Sequence, residues 1–61
     1  MTASELKKLR ERLGMSQRQL AARLGVDAHT IRRWEEGTHR VDPITEELLR
    51  IIGEQAGQVE G

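Results

Sequence analysis

Arg32 and Arg33 stand side by side, with His29 one helical turn before and Glu36 one turn after, the densest group of chemically active side chains in this 61-residue chain. A guanidinium is planar and permanently charged, and its fork of N–H donors matches a phosphate, a carboxylate or the acceptor edge of guanine. His29 adds a hydrogen bond, a proton that moves near neutral pH, or a metal bond. Metal is disfavoured: His39 is the only other histidine and there is no cysteine to complete a ligand set. Ser16, Asp27 and His29 are also the residue types of a hydrolase triad. Ser16 and Asp27 are better explained as helix caps, however, and no loop of free N–H donors is present to hold an oxyanion. The glycines are scattered and form no phosphate cradle. Neither an enzyme nor a metal or cofactor site is expected.

Side chains of this kind act only when helices hold them. Thr2 with Glu5 three positions on is a capping box, and it opens a segment with Leu6, Leu9 and Leu13 at helical spacing. The first helix is therefore expected over about residues 3–13, ending at Gly14. Ser16 with Gln19 repeats the signature before Leu20, Ala21 and Leu24, a second helix that Gly25 terminates. Asp27 can cap a third, in which Ile31 and Trp34 face inward and Gly37 stands at the left-handed end position. After a loop over residues 38–41, Asp42 and Pro43 give an N-cap followed by proline in the first turn of a fourth helix bearing Ile44, Leu48, Leu49, Ile51 and Ile52. No segment alternates with period two, so the fold class is all-α, a small four-helix domain. Residues 1–53 form the domain, and residues 54–61 read as a frayed glycine-bearing tail.

Composition limits the possible functions. A chain this short sits near the lower limit for an independent core, with no room for a cleft between lobes. Without cysteine, stability must come from helix packing or a second copy of the chain. No apolar run approaches the about 20 residues of a membrane span and no signal-peptide pattern is present, so a cytoplasmic location is expected. The net charge is zero, yet it is unevenly spread. Residues 1–40 carry nine basic and five acidic groups, whereas residues 41–61 carry Arg50 against five acids. The first part suits a polyanion, although a highly charged surface also serves simply to keep a small helical protein in solution.

Only Gly25 and Val26 separate Leu24 from Asp27, so the second and third helices must cross steeply, as in a helix-turn-helix. The third helix then turns Ala28, His29, Arg32, Arg33 and Glu36 outward, with dimensions that fit a DNA major groove. The stretch LKKLRERLGMSQRQLAARLGVDAHTIRRWEEG resembles the DNA-binding domain of the Cro/repressor (XRE-type) helix-turn-helix family, which includes the lambdoid phage repressors. The resemblance rests on Leu9, Arg10, Leu13, Gly14, Ser16, Gln17, Leu20, Ala21, Gly25, Val26, Ile31, Trp34, Glu35 and Gly37 in unbroken register. It implies that Ala28, His29, Arg32 and Arg33 read base edges, with Arg32 also within reach of a phosphate. It further implies that Ser16, Gln17, Arg18, Thr30, Arg40 and Arg10 meet the DNA backbone, and that Arg10 and Glu35 pair to tie the first helix to the third. Departures from the phage pattern are Ala28, where glutamine is frequent, and the acidic Asp27 and Glu36. Trp34 offers a stacking surface for single strands, but its spacing with Ile31 assigns it to the core.

The fourth helix carries more apolar residues than one packing face needs. Ile44, Leu48 and Ile51 are assigned to the core, which leaves Val41, Leu49 and Ile52 for the interface of a homodimer. A broad core-facing stripe is the competing explanation. The functional expectation is a double-stranded-DNA-binding transcriptional regulator, a repressor acting as a homodimer on an inverted-repeat operator. The alternative is an antitoxin or adaptor whose fourth helix and acidic C-terminal part bind a partner protein such as a toxin; the compact members of the resembled family include small antitoxins and autoregulators.

Overall fold

Helix boundaries are set by side chains that satisfy backbone donors left without partners at helix starts. In the computed structural model, which describes residues 1–60 and the side chains of residues 1–55, the helices are α1 (Ala3–Arg12), α2 (Gln17–Leu24), α3 (Ala28–Glu36) and α4 (Pro43–Glu60). Thr2 Oγ1 accepts from the Glu5 amide at 3.1 Å while the Glu5 carboxylate accepts from the Thr2 amide at 2.9 Å. Ser16 and Gln19 form the same reciprocal pair. Asp27 accepts from the His29 amide at 2.8 Å. Asp42 accepts from both the amide and the hydroxyl of Thr45. The caps bear on protonation: the Thr2 amide bond holds the Glu5 carboxyl below its usual range, and the Thr45 hydroxyl does the same for Asp42.

Gly25 ends α2 at φ 75°, a left-handed conformation in which a side chain is strained. The Val26 amide then donates to the Ala21 carbonyl at 3.0 Å, closing the corner, and Val26 packs against the core. The buried centre comprises Leu6 of α1, Leu20 and Ala21 of α2, Ile31 and Trp34 of α3 and Leu49 of α4. One apolar stripe from each helix thus meets in a common core. Trp34 is buried there, so the core assignment for its ring holds. Among the described residues there is no strand, and the fold is all-α as expected.

The assignment of α4's two apolar faces is reversed. Leu49 is fully buried and Ile52 is 7 % exposed, so neither is available as a surface for a partner, while Ile44, Leu48 and Ile51 are exposed at 83 %, 41 % and 42 %. Val41 is half-buried against the core. The reason lies in α1. A Cβ placed on Gly53 would lie 2.8 Å from Leu9 Cδ1 and 3.2 Å from Arg12 Nη2, so α4 presents its glycine to α1, and Leu49, one turn earlier, follows it inward. Gly53, at the expected end of the domain, is a buried helical contact, and the α4 backbone runs on to Glu60 through residues expected to form a frayed tail.

Candidate nucleic-acid interface

The turn between α2 and α3 fixes the attitude of α3, whose Ile31 and Trp34 are anchored in the core. With that side committed, the opposite side is open: His29, Arg32, Arg33 and Glu36 are all exposed. Thr30 is half-buried at the margin. Ala28 is half-buried and packed against the core, because it lies three residues before Ile31 and so shares its side of the helix. The outward face is therefore made by His29 and the arginines, with Ala28 at its edge.

The two arginines are held differently. Arg32 Nε donates to Glu36 Oε2 at 3.2 Å across one helical turn, with both side chains more than half exposed. This pairing accounts for the acidic Glu36 on an otherwise basic face. Among the described residues Arg33 makes no side-chain hydrogen bond or ion pair, so its donor fork is open to an incoming acceptor.

At the C-terminal end of α3 lies a nearly enclosed polar cluster. Arg10 Nε and Nη2 donate to the two oxygens of Glu35 at 2.6 and 3.1 Å, and Arg10 Nη1 donates to the Met15 carbonyl at 3.0 Å. The Arg10 and Glu35 side chains are only 15 % and 6 % exposed. The Glu35 hydrogen bonds raise the Arg10 pKa further above its ordinary value. Arg10 thus ties α1 to α3 and to the loop before α2, as the resemblance implies, with three of its donors used inside the protein. The same carboxylate accepts from Gln17 Nε2 at 3.2 Å. Gln17 and Glu35 lie 18 positions apart, so no sequence spacing could reveal this contact.

The other residues expected to meet the backbone are more superficial. Ser16 Oγ is engaged with the Gln19 amide, and the neighbouring Arg18 is exposed. Arg40, in the loop before α4, lines a shallow recess with Thr2, Trp34, Gly37, His39 and Val41. A separate groove between α1 and α4, floored by Leu9 and Gly53, is rimmed by Glu5, Lys8, Arg12, Arg50 and Glu54. Ser16 and Asp27, the other members of a conceivable triad, are both bound to backbone amides as caps.

A family model described as a helix-turn-helix domain matches residues 3–60. No curated protein and no solved structure matches the chain.

Proposed function

Since the chain belongs to the helix-turn-helix domain family, a DNA-binding and typically non-enzymatic class, we propose that it is a sequence-specific transcriptional repressor that binds double-stranded DNA as a homodimer. Each α3 enters one of two successive major grooves of an inverted-repeat operator, about 34 Å apart. The observation that carries this reading is the outward face of α3: an Arg33 with no side-chain partner among the described residues, one turn after His29, on a helix locked by its buried side. Arg33 supplies the bidentate pair to guanine, and His29 supplies a hydrogen bond to a neighbouring base or phosphate. Arg32 reaches a base or phosphate through its terminal nitrogens, since only its Nε is engaged with Glu36. Ala28 offers no more than a methyl edge to a thymine. Gln17, Arg18 and Arg40, with Ser16 and Thr30 at the margins, set the register on the phosphates, while Arg10 acts from inside through Glu35.

A cytoplasmic location fits a DNA reader, and among the described residues no helix is long and apolar enough to cross a membrane. The dimer face that the fold leaves open is the stripe Ile44, Leu48 and Ile51, in place of Leu49 and Ile52.

Titration of a duplex library tests the proposal. A preferred inverted-repeat sequence should emerge whose affinity exceeds that of random duplex by at least about a thousandfold. Uniform binding across the library would refute sequence-specific repression. One observation favours a second reading: Glu47 and Glu54 lie exposed on the same helix as the apolar stripe, a composition that also suits a basic partner protein. An antitoxin or adaptor of that kind would show DNA affinity with little salt dependence, whereas a phosphate-contacting reader loses affinity steeply as salt rises.

A further inference from the structure

We propose that Glu35 is a positioning residue for DNA binding: its buried carboxylate holds the side chain of Gln17 in place for a backbone phosphate, in addition to joining α1 to α3. The inference rests on the DNA-binding reading above and deepens it.

Gln17 is the first residue of α2, and its side chain has three rotatable bonds. Free in solvent, such a side chain samples many rotamers and loses that freedom on binding. Here its amide nitrogen lies 3.2 Å from Glu35 Oε1, and the side chain is half-buried. A carboxylate only accepts hydrogen bonds, so the contact also fixes which end of the amide faces inward. One Nε2 hydrogen is committed to Glu35, and the other remains to be donated elsewhere. Glu35 is in turn immobilised by two bonds from Arg10, whose third anchor is the Met15 carbonyl in the loop that leads into α2. Four segments are therefore joined through the Arg10–Glu35 pair: α1, the α1–α2 loop by way of Arg10, the start of α2 and the end of α3. The orientation of Gln17 is thereby coupled to the attitude of the reading helix. A residue that served the fold alone would have no reason to couple with Gln17 in DNA affinity.

A double-mutant cycle tests this on the full chain. Gln17→Ala, Glu35→Gln and the double variant are titrated with random-sequence duplex, after circular dichroism has established that each is folded at the working temperature. Gln17→Ala should weaken binding about tenfold in the wild-type background, the scale of one hydrogen bond to a charged group. In the Glu35→Gln background the same change should cost less than about twofold, because the amide leaves one uncharged acceptor oxygen for which Arg10 outcompetes Gln17. Equal losses in both backgrounds, or no loss in either, would overturn the inference while leaving DNA binding intact. Absence of binding to any duplex by the wild type would instead overturn the functional reading and the inference with it. Should Glu35→Gln fail to fold, Arg10→Met combined with Glu35→Gln removes the buried charge along with its partner and provides the second background. Nitrogen-15 NMR gives a readout without DNA: the Gln17 side-chain amide protons should be displaced from the shifts of a free glutamine and return toward them on Glu35→Gln. Free-glutamine shifts in the wild type would overturn the proposal.

Discussion

Arg32 and Arg33 are the same residue type in adjacent positions, yet only Arg32 has a side-chain partner among the described residues. The Arg32–Glu36 pair is exposed and spaced one turn apart, a geometry that contributes about 0.3–0.5 kcal/mol. Such a pair yields easily to a phosphate, which makes Arg32 an adjustable contact. Arg33 has no partner to give up among the described residues, and a good bidentate pair to guanine contributes about 1–3 kcal/mol of discrimination. Arg33→Ala should therefore lower affinity for the preferred operator by about 1–3 kcal/mol while relaxing selectivity at one or two base pairs. The check is to repeat the duplex-library titration with the variant. A loss shared evenly by all sequences would place Arg33 on the backbone instead of a base edge.

At the scale of elements, much of the architecture is legible because its determinants are local. Thr2 with Glu5 and Ser16 with Gln19 lie three residues apart, and both capping boxes form where the sequence places them. Gly25 and Gly37 terminate α2 and α3 in the left-handed conformation for the same reason. The outward side of α3 could be read from Ile31 and Trp34, since burying one side of a helix exposes the other. Helix α4 could not be phased this way. Its five large apolar residues form two overlapping stripes, each consistent with helical spacing, and only the approach of α1 decides between them. Gly53 was the available signal: a glycine one turn after Leu49 marks a close helix contact as readily as a helix end. The contact makes a specific prediction. Gly53→Ala should be nearly neutral, because Leu9 Cδ1 is the end of a flexible side chain and alanine is favoured over glycine in a helix by about 1 kcal/mol. Gly53→Leu has no such escape and should destabilise the fold by about 1–3 kcal/mol through overpacking. In a domain of this size that is a fall in Tm of about 4–8 °C per kcal/mol, read by thermal denaturation. An unchanged Tm for Gly53→Leu would mean that α1 and α4 do not pack as described.

At the scale of the whole molecule, the proposed dimer would use the exposed stripe on α4 to bring two copies together on DNA. Ile44, Leu48 and Ile51 follow one another at intervals of four and three residues, so they form a single line along the helix. A stable complex buries about 800 Å² on each partner, more than three part-exposed side chains supply. The free protein should accordingly associate weakly, and an operator with two half-sites should assemble the dimer by holding the copies together. Two substitutions separate this role from folding. Ile44→Gln with Leu48→Gln alters only exposed positions and should leave the melting curve nearly unchanged, while Leu49→Gln places an amide in the fully buried core and should cost several kcal/mol. On a full operator the wild type should fill both half-sites cooperatively, whereas the Ile44→Gln/Leu48→Gln variant should fill them independently with the affinity of a single half-site. Inserting half a helical turn of DNA between the half-sites should reproduce that loss in the wild type, because the second α3 then meets the wrong side of the duplex. Cooperativity that survives both Gln substitutions but not the insertion would move the contact between copies to another surface. Cooperativity that survives both changes would show that no contact fixed by the two-fold geometry of the operator is involved.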